Sequence, residues 1–280
     1  MSFWERIAKI DRRIIYFLLA LAIIIPIIFK IPSTISVSEA AKMAYDSVER
    51  LPEGTPIIFS TDFDPASMPE LRPMMTAVLR HAFKKKLKVI MMGHWPTGIP
   101  LSTLILEEVA AEFDAEYGVD YVNIGYRPGA GAVMIRMGRE IRSVFDVDMQ
   151  GNPIDSLPLM RTVHNYSDIG LIAAFEAGSM GDFWVQYAWG RFGVNIIMGT
   201  TAVVTPDSYP YLGARQIEGL IGGLAGAAAY EKMIEHPDKA MIRMSSQAWA
   251  HILIIVFIIL GNIGYFMIRK SERKEKRGSQ

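Results

Sequence analysis

Apolar residues fall into two long runs at the ends of this chain and into short, regularly spaced runs between them. Ile14 to Phe29 and Ala248 to Ile268 each approach the ~20 residues that a helix needs to cross a bilayer's hydrocarbon core. Between the two runs the pattern alternates between short apolar blocks and amphipathic stretches. Ser36 to Arg50 predicts a lead-in helix capped by Ser36 or Ser38. Pro56 to Ser60 predicts a buried strand. Ala66 to Lys86 predicts a helix, with Met68, Leu71, Met75, Val78, Leu79, Ala82 and Phe83 at helical spacing. Leu87 to Met92, Tyr121 to Gly125, Ile169 to Phe175 and Val194 to Met198 predict further strands. Leu101 to Tyr117 and the apolar positions from Met134 to Phe145 predict helices between them. Ile217 to Met233 predicts a last long helix, and Phe183 to Trp189 a short aromatic one. Asp148 to Pro158 reads as an irregular excursion.

Continuous apolar strands alternating with helices predict right-handed crossovers and a sheet covered on both faces. The expected fold is α/β, a doubly wound, mostly parallel sheet of the Rossmann or flavodoxin type, flanked by N- and C-terminal transmembrane helices. The expected organisation is a cytoplasmic N-terminus over 1–13, a first transmembrane helix over 14–30, an extracytoplasmic α/β domain over 31–243, a second transmembrane helix over 248–268 and a basic cytoplasmic tail over 269–280.

Charge sets the orientation. The chain carries 29 basic and 29 acidic residues, but the signs are segregated. Arg6, Lys9, Arg12 and Arg13 precede the first run, and Arg269, Lys270, Arg273, Lys274, Lys276 and Arg277 follow the second. Basic flanks favour the cytoplasmic side, so both termini are expected inside and the net-acidic centre outside the inner or plasma membrane. The first run is long for a signal peptide, and no small-x-small site follows it cleanly, so an anchor is expected. Trp249 and Tyr265 sit where an aromatic belt would place them. The tail after Arg269 reads as disordered.

Composition excludes several chemistries. There is no cysteine, hence no thiol nucleophile, disulfide or thiolate metal site. No His-x-x-x-His or Glu-x-x-His pair supports a zinc hydrolase. No Gly-x-Ser-x-Gly elbow, P-loop or dinucleotide glycine fingerprint is present. An acidic extracytoplasmic domain argues against nucleic acid as a partner.

In a doubly wound sheet, the loops after the strands' C-terminal ends form the ligand crevice. That rule selects Asp62 and Asp64 after the first strand, His94 after the second, Arg127 after the third and Glu176 after the fourth. Thr200, Thr201 and Asp207 follow the fifth. Asp62 and Asp64 could hold a divalent cation through oxygen ligands. The ordinary reading is a helix cap and a turn, and no metal is the first expectation. The pair is superficially similar to the Asp-x-Asp of haloacid-dehalogenase phosphatases, but Pro65-Ala66-Ser67 departs from what that family has next. Arg127-Pro128-Gly129-Ala130-Gly131 could bind an anion at a helix start, or simply form a turn. His94 could act as a base or ligand, although a lone loop histidine is more often solvated. Phe183, Trp184, Tyr187, Trp189 and Phe192 are either core or a partner-facing surface, with core favoured.

Glycines mark the last region. Gly219 and Gly223, and Gly222 and Gly226, stand four apart. On a helix they would form a smooth stripe for close backbone approach, either against the sheet or between subunits. The segments Leu51–Gly54, Phe59–Pro65, Pro69–Met74, Gly219–Leu224 and Ala227–Glu231 resemble a family of uncharacterised prokaryotic membrane proteins with an α/β domain between two terminal transmembrane helices. The layout is also similar to auxiliary membrane subunits of gliding-motility and ABC-type transport systems. Neither resemblance carries an activity over; the chain's own features favour a scaffold or ligand-sensing subunit of an oligomeric membrane assembly, transport-associated in one version. Its expected partners are the lipid bilayer, further copies of the chain and other membrane subunits, with no cofactor. Catalysis is left open, leaning toward a non-catalytic role. The alternative is a divalent-metal-dependent extracytoplasmic hydrolase using Asp62 and Asp64.

Overall fold

The computed structural model describes residues 10–29, 31 and 35–278. Arg6 and Lys9, among the charges used for orientation, lie outside them. Two compact units are present: Ile35–Met241, and a second made of Met1–Thr34 with Ile242–Gln280.

The first unit is the α/β domain. Helix α2 (Glu39–Glu49) leads in, with Ser38 Oγ accepting the N–H of Ala41 at 3.2 Å. Strand β1 (Pro56–Asp62), helix α3 (Met68–Lys84), β2 (Lys88–Gly93), α4 (Gly98–Glu112) and β3 (Tyr121–Tyr126) follow in alternation. Helix α5 (Ala130–Met137) then opens a long crossover with 3-10 turns at Ile141–Ser143, Ile154–Ser156, Leu159–Thr162 and Tyr166–Asp168. Strand β4 (Leu171–Glu176), α6 (Met180–Trp184), a π-helical turn (Val185–Trp189), α7 (Gly190–Phe192) and β5 (Ile196–Thr200) come next. Helix α8 (Thr205–Gly213), β6 (Gly219–Gly222) and α9 (Gly223–Met233) complete the domain.

All six strands are parallel, in the order β3-β2-β1-β4-β5-β6. Order reverses between β1 and β4, the switch point at which doubly wound sheets bind ligands. Side-chain alternation assigns the faces. Ile58, Ile90, Val122, Ile172, Ala174, Ile196 and Leu220 pack with Met134, Met160, Tyr166 and Trp184 on one face. Phe59 stacks on Phe175 at 5.7 Å on the other face, which α3 covers.

Several expectations need correction. Gly219 to Gly226 is not one helical stripe, because β6 occupies Gly219–Gly222 and α9 starts at Gly223. A Cβ at Gly219 would overlap the backbone N and Cα of Ala44 in α2, and one at Gly222 would meet Thr205. Gly223 adopts φ +56°, and Gly226 packs on Ile221. Each glycine's space is therefore filled within the domain. The helix expected over Met134 to Phe145 ends at Met137, and Ile141 and Phe145 reach the core from irregular backbone. Helix α8, carrying Pro206 and Pro210, was not anticipated. His81, on α3, is buried. It stacks on Tyr45 at 4.5 Å, with Nδ1 2.8 Å from the Tyr230 hydroxyl and Nε2 2.7 Å from Glu49.

Helix α10 (Lys239–Gly278) leaves the domain. Its first turn is capped by the buried Glu231 of α9, whose carboxylate accepts the N–H groups of Asp238, Ala240 and Met241 at 2.9–3.0 Å. Truncating that side chain would leave three helix-terminal donors unpaired. Glu231→Ala should lower stability by about 2–3 kcal/mol in urea unfolding.

In the second unit, Lys239–Lys270 is the one helix among the described residues that is long and apolar enough to cross a membrane, with mean hydropathy 2.3. Ile252, Ile255, Ile259 and Phe266 on it are exposed. Helix α1 (Arg12–Ile28), capped by Asp11 and containing Pro26, has 17 residues. At 1.5 Å per residue it spans about 26 Å, short of the ~30 Å hydrocarbon core. The tail after Arg269, expected to be disordered, continues α10 as helix through Gly278.

Candidate functional site: a buried polar row at the switch point

Register builds this site. Asp62 ends β1 opposite Glu176 on β4, and Glu176 lies opposite Thr200 on β5. Adjacent strands are about 4.8 Å apart, so parallel register sets the two carboxylates side by side. Both point to the face that carries Trp184. His94 follows β2 immediately and donates its backbone N–H to Asp62 Oδ1 at 2.6 Å, with Trp95 N–H on the same oxygen at 3.0 Å. Ser60 Oγ donates to Asp62 Oδ2 at 2.6 Å and accepts from Trp184 Nε1 at 3.1 Å.

Glu176 accepts the Gly181 N–H at the start of α6. Its carboxyl is thus the cap of that short helix. A Cβ on Gly181 would overlap Glu176 Oε1, so glycine is required for this close approach. Trp95 covers Gly178 at the mouth, and Tyr211 hydrogen-bonds the exposed Asp182 beside Glu176.

Burial dominates the electrostatics. Asp62 and Glu176 are 1% and 2% exposed, which disfavours their charged forms. Desolvation raises Asp62 against the opposing pull of His94, Ser60 and the two backbone donors. Desolvation pushes Glu176 up to about 8, opposed by the Gly181 N–H and reinforced by Asp62 and Asp182. At neutral pH Glu176 is therefore mostly a neutral acid, beside an Asp62 carboxyl that burial also shifts upward. Burial also lowers His94, against the attraction of Asp62 and the nearby Arg127 backbone.

The buried Tyr166 hydroxyl lacks a hydrogen-bond partner among the described residues, and the His94 ring nitrogens have none of ordinary geometry, the Arg127 backbone acting on that ring as a loose partner. The His94 and Tyr166 rings pack on Trp184, at 5.5 and 6.3 Å between centroids. An unpaired buried polar atom costs roughly 1–3 kcal/mol. Buried polar atoms without partners are uncommon and gather here around one ring.

The other residues selected from the sequence lie in separate local structures. Asp64 accepts from Ser67 N and Oγ at 3.1 and 2.9 Å, the turn-and-cap arrangement. No group of three His, Asp or Glu among the described residues could hold a metal ion. Arg127 is committed to the carbonyls of Val144 and Tyr126 and to Asp146, with its guanidinium over Phe145 at 5.2 Å. Gly129, at φ +103°, makes the turn into α5. Thr200 Oγ1 pairs with Thr205 Oγ1 at 2.9 Å, and Thr201 donates its N–H to the Glu176 carbonyl at 3.4 Å. Asp207 is exposed in the first turn of α8. Ser60, Trp184 and Tyr166 were not selected. Strand geometry puts Ser60, two residues before Asp62, on the same face, but β1 is buried on both faces and nothing local marked Ser60 or Trp184 apart from core.

Fold and site together define a class: an all-parallel α/β domain with a buried acid pair at its switch point. Comparison with known protein families and with curated proteins returns no match to this chain.

Proposed function

We propose that this chain is a membrane-anchored, ligand-sensing α/β subunit of an oligomeric membrane assembly. Terminal helices α1 and α10 cross the bilayer, both termini are cytoplasmic, and the α/β domain is extracytoplasmic. The observation that carries the reading is the switch-point row of His94, Asp62, Glu176 and Thr200, with an imidazole that has no partner of ordinary geometry. A domain serving only as a spacer has no need of orphaned polar groups in its interior. The exposed apolar surface of α10 supports membrane residence, and Arg12, Arg13, Arg269 and Lys270 support the orientation. Sensing is favoured over hydrolysis because Asp64 is absorbed in its own turn.

The absence of cysteine makes the topology simple to test. Ser156→Cys, on an exposed domain loop, should react with a membrane-impermeant maleimide on intact cells. Ser279→Cys should react only after lysis. The reverse pattern, or labelling of both on intact cells, would reject an extracytoplasmic domain with a cytoplasmic C-terminus.

A further inference from the structure

We propose that His81 is an acid-sensitive latch: the neutral imidazole ties helices α2 and α9 to α3, and its protonation releases α9 at Tyr230. The latch lies in the last turn of α3, away from the switch-point row, and stands whether or not that row binds a ligand.

Geometry is the first argument. His81 is 2% exposed, and its ring meets two other helices at once. On α2, Glu49 Oε2 lies 2.7 Å from Nε2, and the Tyr45 ring stacks on the imidazole at 4.5 Å. On α9, the Tyr230 hydroxyl lies 2.8 Å from Nδ1. The His81 hydrogen bond holds Glu49 below its ordinary value, so Glu49 is a carboxylate that can only accept. Nε2 therefore carries the proton, and Nδ1 is the acceptor that the Tyr230 O–H fills. One neutral imidazole satisfies a carboxylate and a buried hydroxyl together.

Donor arithmetic is the second argument. A second ring proton turns Nδ1 from acceptor into donor. The Tyr230 oxygen can accept it, but the hydroxyl proton that pointed at the ring must then turn into the interior, where Tyr230 is fully buried. An unpaired buried donor is costly, and the relief is for Tyr230 to draw back from the ring. Protons can reach the site. A cavity of about 410 Å³ opens beside the ring, with Tyr45, Glu49, His81, Lys84, Lys85 and Ile234 in its wall. Tyr230 directly precedes Glu231, whose carboxylate caps the first turn of α10. Release at Tyr230 therefore loosens that cap as well.

Surrounding groups set the direction. Glu49, Tyr45 and Asp46 face the ring from α2, Lys84 and Lys85 from the end of α3, and Tyr230 and Glu235 from α9 and just beyond it. Glu53 and Lys86 share the cavity wall. Desolvation lowers His81, and Lys85 and Lys84 add to it, against the pull of Glu49. Lys85 also draws on Glu49, with Nζ 3.4 Å from Oε1. Below the ordinary histidine value of about 6.5, the unfolded chain therefore binds more protons at this site than the folded one. The latch contributes stability that is present above that value and lost as pH falls below it.

The test uses the full chain in detergent. With five histidines in the chain, ring-labelled histidine gives few signals, and His81→Gln assigns the one needed. Ring nitrogen shifts at pH 8 should show His81 as the Nε2–H tautomer, with Nδ1 bare. Hydrogen exchange at pH 8 and pH 5, corrected for the intrinsic rate, then reads the latch. In the wild-type chain, α9 and Asp238–Met241 should lose protection relative to β1 by roughly fivefold or more at pH 5. His81→Gln, which keeps a donor and an acceptor but cannot titrate, should flatten that step. Tyr230→Phe, which breaks the same contact from the other side, should flatten it too. Glu231, raised by burial on the same helix, is common to all three chains, so a step that persists undiminished in both variants belongs to Glu231 and overturns the latch. An Nδ1–H tautomer at pH 8, or a wild-type α9 with equal protection at both pH values, overturns it as well.

Discussion

Glu176→Gln is expected to stabilise the domain by roughly 4–5 kcal/mol at pH 9 and to leave its stability nearly unchanged at pH 4. The reason is a proton that the native state keeps and the unfolded state gives up. Burial raises the Glu176 carboxyl from 4.5 to about 8. Between those values the folded chain binds more protons at this site than the unfolded one. Stability therefore falls as pH rises through that window, and the full penalty is present above about 8. Below pH 4.5 both states are protonated and the penalty vanishes. Glutamine mimics the neutral acid: its carbonyl oxygen can still accept the Gly181 N–H, and it never has to ionise beside Asp62. Asp62, Glu231, His81 and His94 also have shifted values. They are common to both chains, so the difference between the two pH profiles reports Glu176 together with its coupling to Asp62. Urea unfolding at pH 4, 6 and 9 measures it. Parallel profiles would mean that Glu176 is ionised in the native state, and the acid-pair account of the crevice would fail.

Much of this architecture is legible in local sequence. The strands are unbroken apolar runs such as Ile57-Ile58-Phe59 and Val89-Ile90-Met91-Met92, and the first crossover helix carries clean amphipathic spacing. Legibility stops where backbone geometry rather than periodicity decides. Gly219-Leu220-Ile221-Gly222 has no β-branched residue except Ile221, and its spacing fits a helix. It is a strand because only a side-chain-free residue at 219 allows α2 to lie on the sheet edge. Helix α8 was hidden by Pro206 and Pro210, although a proline at a helix's first turn is well tolerated.

The site divides in the same way. The doubly wound rule selects Asp62, His94, Glu176 and Thr200 because they end strands. It also selects Asp64, Arg127 and Thr201, which make local turn and loop contacts instead. What joins the first four is the order β2-β1-β4-β5 and its register. That order is a property of the assembled sheet and leaves no trace in any one segment. The same holds for the setting of the His94 ring, which depends on Trp184, remote in sequence.

Gly219→Ala should unfold the domain more readily, by about 3 kcal/mol or more, and this outcome separates the two meanings of the glycine run. If Gly219 served contact between subunits, a methyl group there would weaken association and leave the isolated fold's melting temperature unchanged. Here the methyl would meet the backbone N and Cα of Ala44. Backbone cannot swing aside as a flexible side chain can, so either α2 lifts from β6 or the strand shifts register, and both expose buried surface. Ala44 is fully buried, as is Ile221 nearby on the same strand, so the strain has no open space into which to relax. Gly213, at the end of α8, has nothing within 4 Å of its Cβ position. Gly213→Ala should therefore be neutral or stabilise by up to about 1 kcal/mol. Thermal unfolding with size-exclusion profiles of both variants, compared at matched concentration, discriminates the cases. A Gly219→Ala chain that melts normally but changes its association would return this glycine to the subunit interface.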